Sequence, residues 1–259
     1  MRLLKYMGKI PQFNFETDID LFPIGDMHIG HPATDYHALN DYIRYIERKD
    51  NTYVAMMGDE VEGEIPSRSG SWGYEQDYMI DKQLDKLYEI FKPLGEKRKI
   101  LTKVNSTHTG WTRKLTGHDI DKEIAEKLNA IYMGVGGYWK LNAKERRYTI
   151  FQQHGSSSSK YPEYELTKAM ESFPTANVYL MAHVHQIAAR PYTKKVCYGD
   201  IEYDMIQWAI RTGGFVGNKE WARERLLPQP SLGAPRIMFN SSKFDIDVNL
   251  NGISSLFKF

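Results

Sequence analysis

Apolar runs of four to six residues recur along the first two-thirds of this chain, each ending abruptly in a polar cluster. Residues 21–24, 53–57, 99–104, 148–153 and Val178–Met181 read as strands on this pattern. Between them the spacing becomes helical. Over residues 38–48, Leu39, Tyr42, Ile43 and Ile46 fall on one face; Ile80, Leu84, Leu87, Tyr88 and Phe91 do the same, and Pro93 predicts a stop just before it. A third helix is predicted from about Asp119 through Leu128, with Ile120, Ile124 and Leu128 on one side. The second half is richer in strand, with runs at 138–141, 148–153, Val178–Met181, 206–212, Arg236–Phe239 and 244–250. Strands alternating with helices of this length predict βαβ units, and the whole reads as an α/β protein with two sheets face to face and helices outside. Residues 62–73 are polar and glycine-bearing and read as a long loop. Neither a repeat nor a linker divides the chain, so one domain over residues 1–259 is expected.

Composition narrows the class. A chain of 259 residues with 41% hydrophobic and 26% charged positions can bury a substantial core. A net charge of +1 supplies no overall field to draw in nucleic acid, which disfavours a protein that coats DNA. The single cysteine, Cys197, rules out an intramolecular disulfide and a Cys-rich zinc site. No run approaches the roughly 20 apolar residues of a membrane span, and the start lacks a signal-peptide core. A cytoplasmic protein without membrane association is expected.

The chemistry lies where the strand-like runs stop. Gly25-Asp26-Met27-His28, Gly58-Asp59-Glu60, Asn105-Ser106-Thr107-His108, His154-Gly155 and Ala182-His183-Val184-His185 each follow one of them. Alternate residues at a strand end can turn toward one point, so Asp26 with His28, and His183 with His185, can each serve a cation. Asp59 has two carboxylate oxygens and can be shared by two ions, and Gly58 allows close backbone approach. Imidazole with carboxylate and amide oxygen suits Mn, Fe or Zn better than Ca or Mg. Any one of these motifs alone is commonly a turn or a solvated pair; their joint occurrence at strand termini is what points to a metal site.

As a set, Asp26-Met27-His28, Gly58-Asp59-Glu60-Val61-Glu62, Asn105 with His108, His154 and Ala182-His183-Val184-His185 resemble the calcineurin-like metallophosphoesterases over about residues 20–190. Gly30-His31-Pro32 with Asp35, and Thr116-Gly117 with Asp119, are similar to the phage and prokaryotic branch often labelled DNA repair exonuclease. The resemblance implies a four-layered α/β/β/α sandwich and two divalent ions, manganese first, iron or zinc otherwise. It places one ion on Asp26, His28, Asp59 and His185, and the other on Asp59, Asn105, His154 and His183. It further implies in-line attack on phosphorus by a hydroxide bridging the ions, with a histidine near the asparagine protonating the leaving group. The expected substrate is a phosphodiester, either a nucleic-acid end or a small nucleotide.

The chain departs from the pattern in two places. The family has glycine, then asparagine, then histidine directly; here Val104 precedes Asn105, and two residues separate it from His108. His108 is the expected catalytic acid, with His118 the poorer candidate. Ala182 replaces a glycine, a mild change. Glu62 is expected to buttress ligands rather than bind metal. Arg113, Lys114 and Arg68 are candidates for a phosphate contact, Ser156 to Ser159 for a further one, and Trp72, Tyr74 and Trp111 for a stacking platform. The competing reading is a metal-binding scaffold whose altered turn has cost it turnover.

Overall fold

The computed structural model describes residues 9–63, 76–156, 163–217 and 228–253. Arg68, Trp72, Tyr74, Ser157, Ser158 and Ser159 therefore lie outside the described residues, as does most of the predicted 62–73 loop.

Two six-stranded mixed sheets form the centre. In the first, β2 (Ile19–Ile24), β3 (Thr52–Met56), β4 (Ile100–Lys103) and β5 (Ile131–Tyr132) run parallel, with β11 (Arg236–Phe239) antiparallel to β2 and β12 (Ile246–Asn249) at the edge. The second places β1 (Gln12–Phe15), β6 (Gly136–Ala143), β7 (Arg146–Gln153), β8 (Val178–Met181), β10 (Ile201–Arg211) and β9 (Ala188–Tyr198) side by side in that order. Within it β7, β8 and β10 are parallel.

The two-residue period of a strand sorts the side chains into layers. Leu21, Ala55, Met57 and Leu101 point from the first sheet toward the second, where Leu141, Ile150, Val178 and Leu180 meet them. Phe22, Ile24, Val54 and Met56 point the other way. They pack under α1 (Tyr36–Arg48), α2 (Ile80–Glu96) and α4 (Ile120–Lys127), against Leu39, Ile43, Ile46, Leu87, Phe91 and Ile124. On the far side, Phe151, Tyr179 and Met181 lie under α5 (Glu163–Ser172), against Leu166 and Ala169. The layers are thus helix, sheet, sheet and helix, the predicted α/β/β/α arrangement. Central strands covered on both faces explain why the runs read as continuously apolar rather than alternating. Each fully buried aliphatic side chain contributes about 1.5–3 kcal/mol through removal from water.

Several boundaries differ from the sequence reading. Helix α2 continues through Pro93 to Glu96. Packing holds that last turn in place: Leu94 is fully buried, and a Cβ at Gly95 would lie 3.3 Å from the backbone of Leu128. The strand expected over 244–250 shrinks to β12, because its partner β11 offers only four residues to pair with. Five elements lacked a clear signal, among them β1 and β5, which at four and two residues are too short to show a period. In β9, Arg190, Pro191, Thr193, Lys194 and Lys195 break the apolar pattern, as an exposed edge strand allows. The helices α3 (Thr109–Thr116) and α5 are short and mostly polar. Among the described residues, no helix is long and apolar enough to cross a membrane.

Leu94→Ala should lower the unfolding free energy by about 2–5 kcal/mol in urea titrations, the usual cost of truncating a buried leucine. A loss below about 1 kcal/mol would mean that the turn beyond Pro93 does not depend on this contact.

Candidate metal centre

The carboxyl ends of β2, β3 and β4 in one sheet meet those of β7 and β8 in the other. Crevices beyond such strand ends are where α/β sheets leave room for ligands. Asp26 and His28 follow β2, Asp59 follows β3, His108 follows β4, His154 follows β7, and His183 and His185 follow β8. Three groups of potential ligand atoms result, each within 4.8 Å: Asp26 with His28 and His185, Asp59 with His154 and His183, and His28 with Asp59 and His108. The last group links the other two through His28 and Asp59.

The backbone is strained to achieve this. Asp26, His28, Asp59, His183 and His185 have φ between 47° and 73°, and they are five of the eight described non-glycine residues in the left-handed region. Each such residue costs about 1–2 kcal/mol, and strain of this kind concentrates at functional sites. At Gly58, with φ of 94°, a Cβ would approach His154 Nδ1 and the Asn105 carbonyl oxygen to 2.7 Å. Glycine is needed there for both reasons, as the close approach at Asp59 suggested.

Hydrogen bonds determine which nitrogen of each ring faces the centre. His154 Nδ1 donates to the Met57 carbonyl at 2.7 Å, and His28 Nδ1 donates to the Glu62 carboxylate at 2.8 Å. Both acceptors have no proton to give, so each Nδ1 carries its hydrogen and each Nε2 turns inward. Glu62 thus fixes the orientation of the His28 ring. His28 Nε2 comes within 3.3 Å of His185 Nε2. His154 Nε2 lies 3.0 Å from Asp59 Oδ2, and His185 Nε2 lies 3.3 Å from Asp26 Oδ1. Despite these distances, His154 Nε2 and Asp26 Oδ1 are buried without an aligned hydrogen bond. Ligand atoms that crowd together but aim past one another are arranged for a third body between them. A divalent cation fits this donor set of imidazole nitrogens and carboxylate oxygens.

Electrostatics agree with that geometry. Burial would raise the Asp59 carboxyl, but His154, His108 and His28 outweigh it and hold Asp59 well below the usual carboxylate range. Asp26 is likewise lowered, burial being overcome chiefly by His185. Burial would depress His154, yet Asp59 and Asp26 lift its pKa to about 10. His183 moves down, through burial and the charge on His154.

The turn after β4 contains residues that the sequence reading did not single out. Thr107 N and His108 N donate to Asp59 Oδ1 at 2.7 and 3.1 Å, and Thr107 Oγ1 donates to Asp59 Oδ2 at 2.7 Å. Behind them Lys103 is fully buried, 2.9 Å from Glu60 and 2.7 Å from Asp121. Burial would lower its ammonium, but those two carboxyls outweigh it and raise the pKa. Burial pushes Glu60 up, while Asp121, next to Lys103, is pulled down against its own burial. Ser106 Oγ joins this group at 2.7 Å from Asp121 and accepts from Asp59 N at 2.9 Å. Lys103 inside an apolar run was the available signal.

The remaining candidates are placed as follows. His108 Nδ1 donates to the Glu62 carbonyl at 2.6 Å, and its ring lies edge-on to His28 at 4.6 Å. His118 is on the surface, 3.0 Å from Glu123. The Asn105 amide is engaged with residues outside the three ligand groups. Oriented so that both ends are satisfied, it donates to Tyr132 Oη and the Gly134 carbonyl and accepts from Arg113 Nη1 at 2.9 Å. Lys114 sits 4.5 Å above the Trp111 ring, so these two candidates engage each other. Ser156 N donates to Glu165 at 3.1 Å.

No family model matches the chain, and no curated protein matches it. Among solved structures, it is similar to a conserved uncharacterized protein, a predicted phosphoesterase, from Streptococcus pneumoniae TIGR4, with 14% identity, 91% of each chain covered and a TM-score of 0.40. A Vps29 single mutant from Entamoeba histolytica is 12% identical, with 89% of this chain and 91% of that one covered and a TM-score of 0.46. Wild-type Vps29 from the same organism, complexed with Zn2+, is 10% identical, with 89% and 97% covered and a TM-score of 0.42. The functional reading therefore rests on the geometry of the site.

Two outcomes follow from that geometry. Glu62→Ala should weaken Mn2+ binding about 10–100-fold by calorimetry, since His28 loses its orienting partner; an unchanged affinity would remove Glu62 from that role. Because the His154 pKa is raised to about 10, its ring holds a proton at neutral pH, and a cation reaching Nε2 must displace it. Affinity should therefore rise with pH, and calorimetry in buffers of different ionisation enthalpy should register proton release at pH 7. Binding without proton release would contradict the assignment.

Proposed function

We propose that this protein is a phosphoester hydrolase that works with two divalent ions, acting on phosphodiesters such as nucleic-acid ends or small nucleotides. The observation that carries the reading is the sharing of Asp59: its carboxylate belongs both to a group with His154 and His183 and to one with His28 and His108, the candidate ligand atoms of each lying within 4.8 Å of one another. Asp26, His28 and His185 would hold one ion with Asp59, and His154 and His183 the other. Manganese is the first choice, with iron or zinc as alternatives. Such a pair of ions supplies Lewis acidity at the phosphoryl oxygens and a hydroxide nucleophile at neutral pH.

The chain's own residues then divide the remaining work. His154 and His28 keep their Nε2 atoms inward through Met57 and Glu62. The Asp59 carboxylate is held in one orientation by Thr107 and His108. His108 is partly open to solvent, and its Nδ1 is committed to the Glu62 carbonyl. A proton on Nε2 is therefore the one His108 can pass to a departing alkoxide. A substrate phosphate would enter on the open side, where His108, His183 and His185 are only partly buried.

A second reading, a metal-binding scaffold without turnover, is favoured by one observation. The Asn105 amide is tied to Tyr132, Gly134 and Arg113.

Assays with Mn2+ on bis-p-nitrophenyl phosphate, p-nitrophenyl phosphate, single-stranded DNA and cyclic nucleotides separate the two. Turnover should be present in the wild type and lost in Asp59→Asn; turnover indifferent to that substitution would refute the mechanism. Bound metal with no turnover on any substrate would select the scaffold. His108→Ala should slow alkyl phosphodiesters about 10²–10⁴-fold while sparing activated aryl esters, because only the poor leaving group needs the proton.

A further inference from the structure

We infer that the neutral oxygen ligand of the Asp59, His154 and His183 group is the Thr107 hydroxyl, and that Asn105 serves as a structural tie. The inference rests on the metal-dependent reading above and assigns a residue that the motif pattern alone would miss.

Geometry separates the two candidates. Thr107 Oγ1 is 2.7 Å from Asp59 Oδ2, the same oxygen that lies 3.0 Å from His154 Nε2. The hydroxyl therefore shares with His154 the Asp59 oxygen that belongs to this group. The Asn105 amide spends both ends elsewhere, on Tyr132, Gly134 and Arg113. Tyr132 Oη in turn donates to Asp119 Oδ2 at 2.8 Å, and Asp119 caps α4 by accepting from Lys122 N. Asn105 thus joins the end of β4 to the loop before α4.

Thr107 is also held where it stands. Its own N–H and that of His108 grip Asp59 Oδ1, while the neighbouring Ser106 is anchored into the buried group formed by Lys103, Glu60 and Asp121. A side chain fixed this way needs little rearrangement to bind. A hydroxyl carries one proton and two lone pairs, so Thr107 can keep donating to Asp59 while a lone pair accepts the ion. Serine and threonine hydroxyls hold Mg2+ in nucleotide-binding loops by the same chemistry. As an uncharged, hard oxygen, Thr107 would favour Mn2+ over softer ions at this position.

The test uses the full chain, stripped with chelator and titrated with Mn2+ by calorimetry, with bound metal counted by mass spectrometry. Wild type and Asn105→Ala should each take up two equivalents. Thr107→Val should retain one equivalent and weaken the second about tenfold or more, and Thr107→Ser should restore it. Thermal melts followed by circular dichroism report whether each variant is folded. A purely structural role is separated by the visible d–d bands of bound Co2+: Thr107→Asn, which exchanges a hydroxyl for an amide oxygen, should shift them while keeping two equivalents. Thr107→Val binding two ions at wild-type affinity would overturn the inference, as would loss of an equivalent in Asn105→Ala or unshifted Co2+ bands in Thr107→Asn. A wild-type protein that takes up no metal would overturn the underlying reading as well, which keeps the two failures distinguishable.

Discussion

Asp26 and Asp59 are carboxylates almost wholly removed from solvent, and the site is organised around compensating their burial. An isolated buried carboxylate costs several kcal/mol, so the fold must bring positive or donating groups to it. Asp59 receives two backbone N–H groups, the Thr107 hydroxyl and the His154 ring; Asp26 receives His183 N at one oxygen and the proximity of His185 at the other. Compensation stops short of completion, since Asp26 Oδ1 has no aligned donor. That remaining deficit is what the site could offer a cation: a group satisfied by hydrogen bonds alone would have nothing left to give an ion.

The same logic reappears one layer deeper. A fully buried ammonium at Lys103 is tolerable because Glu60 and Asp121 close on it, while burial pushes the Glu60 carboxyl up. Such a cluster adds little net stability compared with packed apolar side chains, but removing one member leaves a bare buried charge. Its effect here is positional. Through Ser106 it holds the turn that presents Thr107 and His108 to Asp59. The charge cluster and the candidate metal centre therefore form one continuous polar seam running from beneath α4 to the crevice between the sheets.

Layering explains how such a seam fits inside a compact protein. Both sheets end their parallel strands at the same edge, so the polar residues that follow each strand collect in one crevice while the apolar residues before them fill the space between sheets. Left-handed residues at Asp26, His28, Asp59, His183 and His185 turn the chain sharply as each strand ends, aiming consecutive or alternate side chains inward. The apolar packing on both sides of each strand supplies the stability that holds these unfavourable conformations in place.

Much of this was legible in the chain. The central strands, the faces of α1, α2 and α4, and the Asp and His residues that gather at strand ends could all be read, because apolar period and residue type are local properties. Past Pro93, Leu94 kept the helix going through contacts that no local rule contains. The edge strand β9 escaped notice because half-exposed strands need not show an apolar pattern. The clearest case is the turn after β4. Sequence alone placed Asn105, Thr107 and His108 within a span of four residues, and the family resemblance pointed to the asparagine as ligand although two residues separate it from the histidine. Tertiary structure shows what each side chain holds: the Asn105 amide is tied to Tyr132, Gly134 and Arg113, while the Thr107 N–H and hydroxyl reach Asp59. Residue type determines what a side chain can bind, but its direction depends on hydrogen-bond partners distant in sequence, and those exist only once the chain has folded.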